Sequence, residues 1–275
     1  LRNTEQCAAW RAAGATPLLG DLDRPGSLKR LAGIADVVLH FAPPPNPPAG
    51  GPDASRDSRT RYLLAALSKE KSLPQRLIYI STTGVYGDCA GARIDETRPL
   101  RPASARAQRR VDAERQLRRW GRRNGVAVSI LRAPGIYAHD RLPLERLRNG
   151  TPALAAANDV FTNHIHADDL ARAAVAALRH GLPNRVINAC DDSDLRMGDY
   201  FDRVADAFAL PHPPRLSRQD AKAALSPLQL SFMSESRRIG NRRLKEELRL
   251  RLRYPSVEDT LAAIAALPEE EKCWS

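Results

Sequence analysis

Aromatic residues supply only 5% of this 275-residue chain. Lysine is scarce too, with six residues among 43 basic ones. A core must therefore be built from Ala, Leu, Val and Ile, and a 43% hydrophobic content provides them. That content excludes wholesale disorder. No stretch approaches eighteen consecutive apolar residues, which excludes a membrane-spanning helix. The opening residues lack the basic, apolar and small-residue succession of a secretory signal. The four cysteines, Cys7, Cys89, Cys190 and Cys273, stand far apart with no Cys-x-x-Cys pair. This argues against a zinc site or disulfide framework and for a reducing, cytoplasmic setting. No internal repeat or low-complexity domain is present, and the length suits one large domain or two small ones.

What is present is a net charge of +11, carried almost wholly by arginine. Such a field would suit a polyanion such as RNA, or a phosphate-bearing cofactor or substrate. The mixed signs along the chain favour arginines decorating solvated helix faces. The run Arg106, Arg109, Arg110, Arg115, Arg118, Arg119, Arg122 and Arg123 wraps around a helix rather than forming one stripe.

Hydrophobic patterning alternates between strand and helix. Helices are predicted over 5–13, 25–31, 57–68, 105–124 and 166–178, with Pro25 near a first turn and Gly14 as a stop. Strands are predicted over 16–19, 36–42, 76–81, 126–132 and 185–188. The apolar run from Asp36 to Ala42 is of the kind buried on both faces of a parallel sheet. Residues 43–52 hold a Pro/Gly-rich loop. From about Leu195 onward the pattern is helix and loop, and Glu269–Glu271 reads as a solvated tail. The alternation predicts an α/β fold with a doubly wound parallel sheet, Rossmann-like, over 1–194, and a smaller, mostly helical substrate lobe over 195–275.

In such a sheet, ligands gather at the carboxyl ends of the strands. Four strand ends carry special residues: GDL at 20–22, HFAP at 40–43, STTGVYG at 81–87 and RAPGIY at 132–137. Together with NHIHADDLARA at 163–173, these strings resemble the extended and atypical short-chain dehydrogenase/reductases, the NAD-dependent epimerase/dehydratase-like proteins. The resemblance implies an NAD(P) cofactor. It sets Asp21 and the Leu22 backbone at the adenine, and Phe41, Ala42 and Pro43 under the ribose and phosphates. It sets Ala133, Pro134, Gly135 and Ile136 at the nicotinamide, and Thr82 as the hydroxyl that polarises the substrate oxygen. Arg2, beside a ribose 2′-phosphate, would favour NADP.

Two departures stand beside these matches. The Gly-x-Gly-x-x-Gly turn that offers a helix N-terminus to a pyrophosphate is absent. The family carries it on a first strand, so the expectation is a chain that begins at the end of the second strand, folds poorly and holds dinucleotide weakly. The Tyr-x-x-x-Lys pair is also replaced, Arg106 standing where Tyr belongs and Arg110 where Lys belongs. Arginine cannot be deprotonated in a protein, so Arg106 can assist only electrostatically.

Simpler readings accompany these. Thr82 also reads as a hydroxyl serving the strand-end backbone, and Asp21 as a cap of the helix near Pro25. Tyr86 and Tyr137 read as packing residues. His40 reads as a satisfied buried histidine. His164, His166, Asp168 and Asp169 suit a helix start better than a metal site. Ser81, His40 and Asp36 make no hydrolase triad, since no Gly-x-Ser-x-Gly elbow exists. Phe232, Met233, Ser234, Arg237 and Arg238 are candidates for a substrate cleft. The reading is an NAD(P)-dependent oxidoreductase or epimerase acting on a small carbonyl or nucleotide sugar, with a homodimer left open. The alternatives are a non-catalytic NAD(P)-binding sensor and an RNA-binding protein.

Overall fold

A computed structural model describes residues 1–46 and 54–266, apart from the side chain of Leu228. Part of the 43–52 loop, Glu269–Glu271 and Cys273 thus lie outside the described residues. The centre is a four-stranded parallel sheet of β1 (Val37–His40), β2 (Arg76–Thr82), β3 (Ala127–Ala133) and β4 (Arg185–Asn188), which neighbour one another in that order. Val37 pairs with Arg76 and His40 with Tyr79.

The first two crossovers carry α1 (Ser58–Leu67) and α2 (Ala105–Asn124). Right-handed crossovers stepping in one direction lay their helices on one face of a sheet. There, Leu63, Leu64 and Leu67 of α1 join Ala113 and Leu117 of α2 over Leu77, Tyr79, Val128 and Ile130. Among the described residues, the opposite face of β1 has no such cover. Val37 and Leu39 are 40% and 45% exposed, although the apolar run predicted burial on both faces.

Local chemistry sets the helix ends. The Asp57 side chain accepts from the Thr60 N–H at the start of α1, and Ser104 accepts from the Ala107 N–H at the start of α2. Gly125, at φ 68°, closes α2 in the left-handed region that glycine enters without penalty. Gly121 is a close approach, because a Cβ there would stand 2.6 Å from Val128 Cγ2.

The chain divides into two compact units that are not contiguous in sequence. The first comprises Leu1–Ser81, Pro102–Ile130 and Gly181–Val186, and the second Thr82–Arg101, Leu131–His180 and Ile187–Ser275. Ser81 and Thr82 of β2, Ile130 and Leu131 of β3, and Val186 and Ile187 of β4 fall on either side of this division.

Within the second unit, α3 (Ala167–His180), α4 (Met197–Ala207) and α5 (Val257–Ala265) accompany short parallel and antiparallel strand pairs. Its main core gathers Leu144, Leu147 and Leu154 with Tyr200, Phe201, Val204, Val257 and Leu261. Among the described residues, no helix is long and apolar enough to cross a membrane.

Two elements differ from the sequence pattern. Residues 16–19 form no ladder; Leu1 is tied to them by its amino group to the Leu18 carbonyl at 2.6 Å and by its own carbonyl to the Gly20 N–H at 2.9 Å. Pro25–Leu31 winds as a 3-10 helix.

Candidate active site

In the first unit, Arg59 joins the Asp21–Asp23 turn to the loop that follows β1. Its Nε and Nη2 donate to the Asp23 carboxylate at 2.8 and 2.6 Å, and its Nη1 donates to the Pro43 carbonyl at 3.0 Å. The hydrogen bonds from Arg59 hold the Asp23 carboxyl below its ordinary range, with a smaller contribution from the charge of Arg2. Asp21 caps its own loop, its Oδ1 accepting from the Asp23 N–H at 2.9 Å while its N–H donates to Ser27 Oγ. Arg2, Asp21, Asp23, Arg59 and Pro43 are therefore one electrostatic neighbourhood. Leu22 packs against the α1–α2 core. Phe41 is 49% exposed at the end of β1. The sequence reading passed over Asp23 and Arg59. A second carboxylate two residues after Asp21 was the available signal.

Behind the end of β1 lies a buried polar chain. Thr60 Oγ1 donates to Asp57 Oδ2 at 2.6 Å, which leaves it to accept from His40 Nε2 at 3.0 Å. Burial, aided by the Arg110 charge, lowers the His40 pKa to about 4. His40 is thus a neutral, satisfied histidine. Ser81 Oγ donates instead to Glu114 Oε1 at 2.6 Å, so Ser81 and His40 share no triad.

The two candidate catalytic arginines differ in setting. Arg106 is exposed in the first turn of α2. Arg110 is engaged in the fold, its Nη1 donating to the Tyr79 hydroxyl at 3.0 Å and to the Ile80 carbonyl at 2.7 Å. Arg109 is buried and donates to the Ala54 carbonyl at 2.7 Å.

In the second unit, Thr82 opens a short 3-10 turn over Thr83–Tyr86, and its Oγ1 accepts from the Gly84 N–H at 3.3 Å. Gly87 ends that turn at φ 67°, where a Cβ would strike the Arg101 carbonyl. Tyr86 is almost fully buried; its hydroxyl donates to Asn188 Oδ1 at 2.7 Å and accepts from Arg132 Nη1 at 2.9 Å. Tyr137 is equally buried and donates to the Ser256 carbonyl at 3.1 Å. Both hydroxyls are thus hydrogen-bonded within the fold.

Ala133 is the last residue of β3. After Pro134, residues Gly135–Tyr137 pair in parallel with His164–His166. Gly135 is required there, as a Cβ would come within 3.2 Å of the His164 ring. Asp169 is wholly buried and accepts from Arg172 and from the Arg253 and Tyr254 N–H groups. Among the described residues, no group of three or more His, Cys, Asp or Glu side chains is placed to hold a metal ion.

The predicted residues thus fall into two sets. Arg2, Asp21, Leu22, Phe41, Ala42, Pro43, Arg106 and Arg110 belong to the first unit, and Thr82, Ala133, Pro134, Gly135 and Ile136 to the second.

Comparison with known proteins gives this arrangement its family. Residues 1–190 match the model of the NAD dependent epimerase/dehydratase family. The chain is 27% identical over 207 residues to the GDP-6-deoxy-D-mannose reductase of Pseudomonas aeruginosa, covering 68% of each chain. It is 28% identical over 214 residues to the dTDP-glucose 4,6-dehydratase of Mycolicibacterium smegmatis, covering 68% of this chain and 65% of that one. A solved structure of a functionally unknown conserved protein from Silicibacter pomeroyi DSS superposes with a TM-score of 0.75 at 33% identity, over 97% of this chain and 88% of the other. With the family match running through all four strand ends, the chain belongs to the NAD dependent epimerase/dehydratase family.

Proposed function

We propose that the protein binds a nicotinamide dinucleotide and acts as an NAD(P)-dependent oxidoreductase or epimerase on a nucleotide sugar or small carbonyl. The observation that carries this is the family match over 1–190. Two of the relatives named above are a GDP-6-deoxy-D-mannose reductase and a dTDP-glucose 4,6-dehydratase, which supports a nucleotide-linked substrate.

The family resemblance supplies the assignments for the two ends of the dinucleotide. Asp21 and Leu22 are assigned to the adenine, Phe41, Ala42 and Pro43 to the adjoining ribose, and Ala133–Ile136 to the nicotinamide. Arg2, one of the positive charges acting on Asp23, inclines the choice toward NADP. When bound, the dinucleotide supplies hydride chemistry.

The chain's own contribution is electrostatic. Because Thr82 Oγ1 accepts from Gly84, its hydroxyl hydrogen is left to donate to a substrate oxygen. Arg106 adds positive charge and transfers no proton. Arg110, held by Tyr79 and Ile80, acts as a positioning residue for the end of β2.

That engagement of Arg110 also favours a second reading, a dinucleotide-binding protein without turnover. Calorimetry with NADPH and NADH, followed by a panel of sugar nucleotides and carbonyls, separates the two. Turnover that falls about 100-fold in Thr82→Ala supports the enzyme. Tight binding with no turnover supports the sensor, and no binding of either dinucleotide overturns both. An RNA-binding role through α2 is weakened, since Arg109 and Arg110 are spent on Ala54, Tyr79 and Ile80.

A further inference from the structure

We infer that the second unit carries a docking surface for an acidic protein segment with apolar side chains, in the groove between α3 and residues 248–252. Two depressions, of about 400 and 460 Å³, share Arg249 and Leu250. On α3, Arg172, Val175, Ala176 and Arg179 fall at i, i+3, i+4 and i+7, so they form one face of the helix and line the first depression. The facing segment alternates. Leu248, Leu250 and Leu252 are buried, while Arg249, Arg251 and Arg253 are exposed. The result is an aliphatic floor with a cationic rim, and Val175 stands 49% exposed on it.

The charges on this rim are not balanced locally. The two depressions are lined by Arg172, Arg179, Arg249, Arg251 and Lys245 against the single acid Asp192. Asp192 is already held by Lys245 and Asn241, and Arg172 by the buried Asp169. Arg179, Arg249 and Arg251 have no carboxylate partner among the described residues. Arg249 also sits at φ 54°, in the left-handed region that disfavours side chains. It does so just beyond the short helix Arg242–Glu246, where the Leu248 N–H bonds back to the Arg243 carbonyl. Glycine is the usual occupant of such a position, and an arginine there points to its charge.

The lining selects among anions. It contains no Phe, Tyr or Trp. Single-stranded nucleic acid stacks its bases mainly on such rings, and this lining offers only His180 and guanidinium planes in their place. Small ligands favour enclosed sites, whereas this groove runs open along two elements. A segment that alternates carboxylates with leucine-like side chains meets both the rim and the floor.

The test is fluorescence anisotropy of the full chain with a labelled synthetic peptide that repeats Glu-Glu-Leu three times. Saturable binding that weakens with added salt is expected. Arg179→Ser combined with Arg251→Ser should weaken it about tenfold or more. Arg249→Gly should weaken it while leaving the thermal midpoint equal or higher, since glycine suits the left-handed position. That separates lost binding from lost folding. Replacing the peptide's leucines with serines should also weaken binding. Failure of the peptide to bind, or equal binding by all variants, overturns the proposal. So does tighter, arginine-dependent binding of an oligouridine or of anionic vesicles. Peptide-independent self-association that the arginine variants abolish would assign the groove to a second copy and overturn it as well.

Discussion

Among the described residues, the first unit leaves few buried polar side-chain atoms without a hydrogen-bond partner, Arg109 Nε and Asn184 Oδ1, and the second leaves more. Around the end of β1, His40, Thr60 and Asp57 form one continuous chain, and Ser81 is matched by Glu114. In the second unit, Asp191 Oδ2, His164 Nδ1 and Thr260 Oγ1 are buried without hydrogen-bond partners. Burial there pushes the Asp191 carboxyl up to about 7 and the His164 imidazole down to about 4. An aromatic ring packs on each histidine, Tyr79 on His40 at 5.1 Å and Tyr200 on His164 at 4.2 Å, so the two regions differ chiefly in polar pairing. Burial makes stability depend on protonation in both units, through His40 in the first and through Asp191 and His164 in the second.

The largest expected effect follows from Asp191. Between its ordinary value and about 7, the folded state holds a proton that the unfolded state has released, so stability falls as pH rises through that window. His164 and His40 act oppositely. With folded values of about 4, both charge first in the unfolded state, and their stabilisation is lost as pH falls from about 6.5 toward 4. The Asp191 and His164 slopes therefore offset each other between pH 4 and 6.5. Asp191→Asn should remove the falling slope, changing the pH 4-to-7 difference in urea-unfolding free energy by about 4 kcal/mol. An unchanged profile would remove the contrast between the units.

A smaller effect is expected in the first unit. His40→Gln should flatten the acid limb by about 3 kcal/mol, read from the same titration. The smallest concerns only the frame. Ser104→Ala should cost about 1 kcal/mol at every pH, as a lost cap has no titrating partner. A pH-dependent loss from this last variant would mean that the contrast is not confined to the buried polar groups.

Much of the frame was legible because its signals are local. Ser104 and Gly125 mark the ends of α2 within one helix, and the apolar run from Arg76 gives β2. The stretch 16–19 misled because a strand exists only with a neighbour to pair with, and there only Leu1 is bonded to it. Pro25 and Gly26, in a segment of seven residues, leave a 3-10 turn rather than an α-helix. At the candidate site, the strand-end motifs named Asp21, Pro43 and Thr82. They could not name the Arg59 clasp, whose partners lie 36 and 16 residues away.

The sequence by itself determined the alternation of strand and helix, the strand-end motifs, and the replacement of a proton-transferring tyrosine by arginine. These follow from side-chain period and residue identity, which need no partner. Only the tertiary structure decided that β2, β3 and β4 pass from one compact unit into the other, that Arg110 is spent on Tyr79, and that Asp191 is left half-paired. Burial and hydrogen-bond partnership are set by residues distant in the chain, and until those meet, each polar group is equally well served by water.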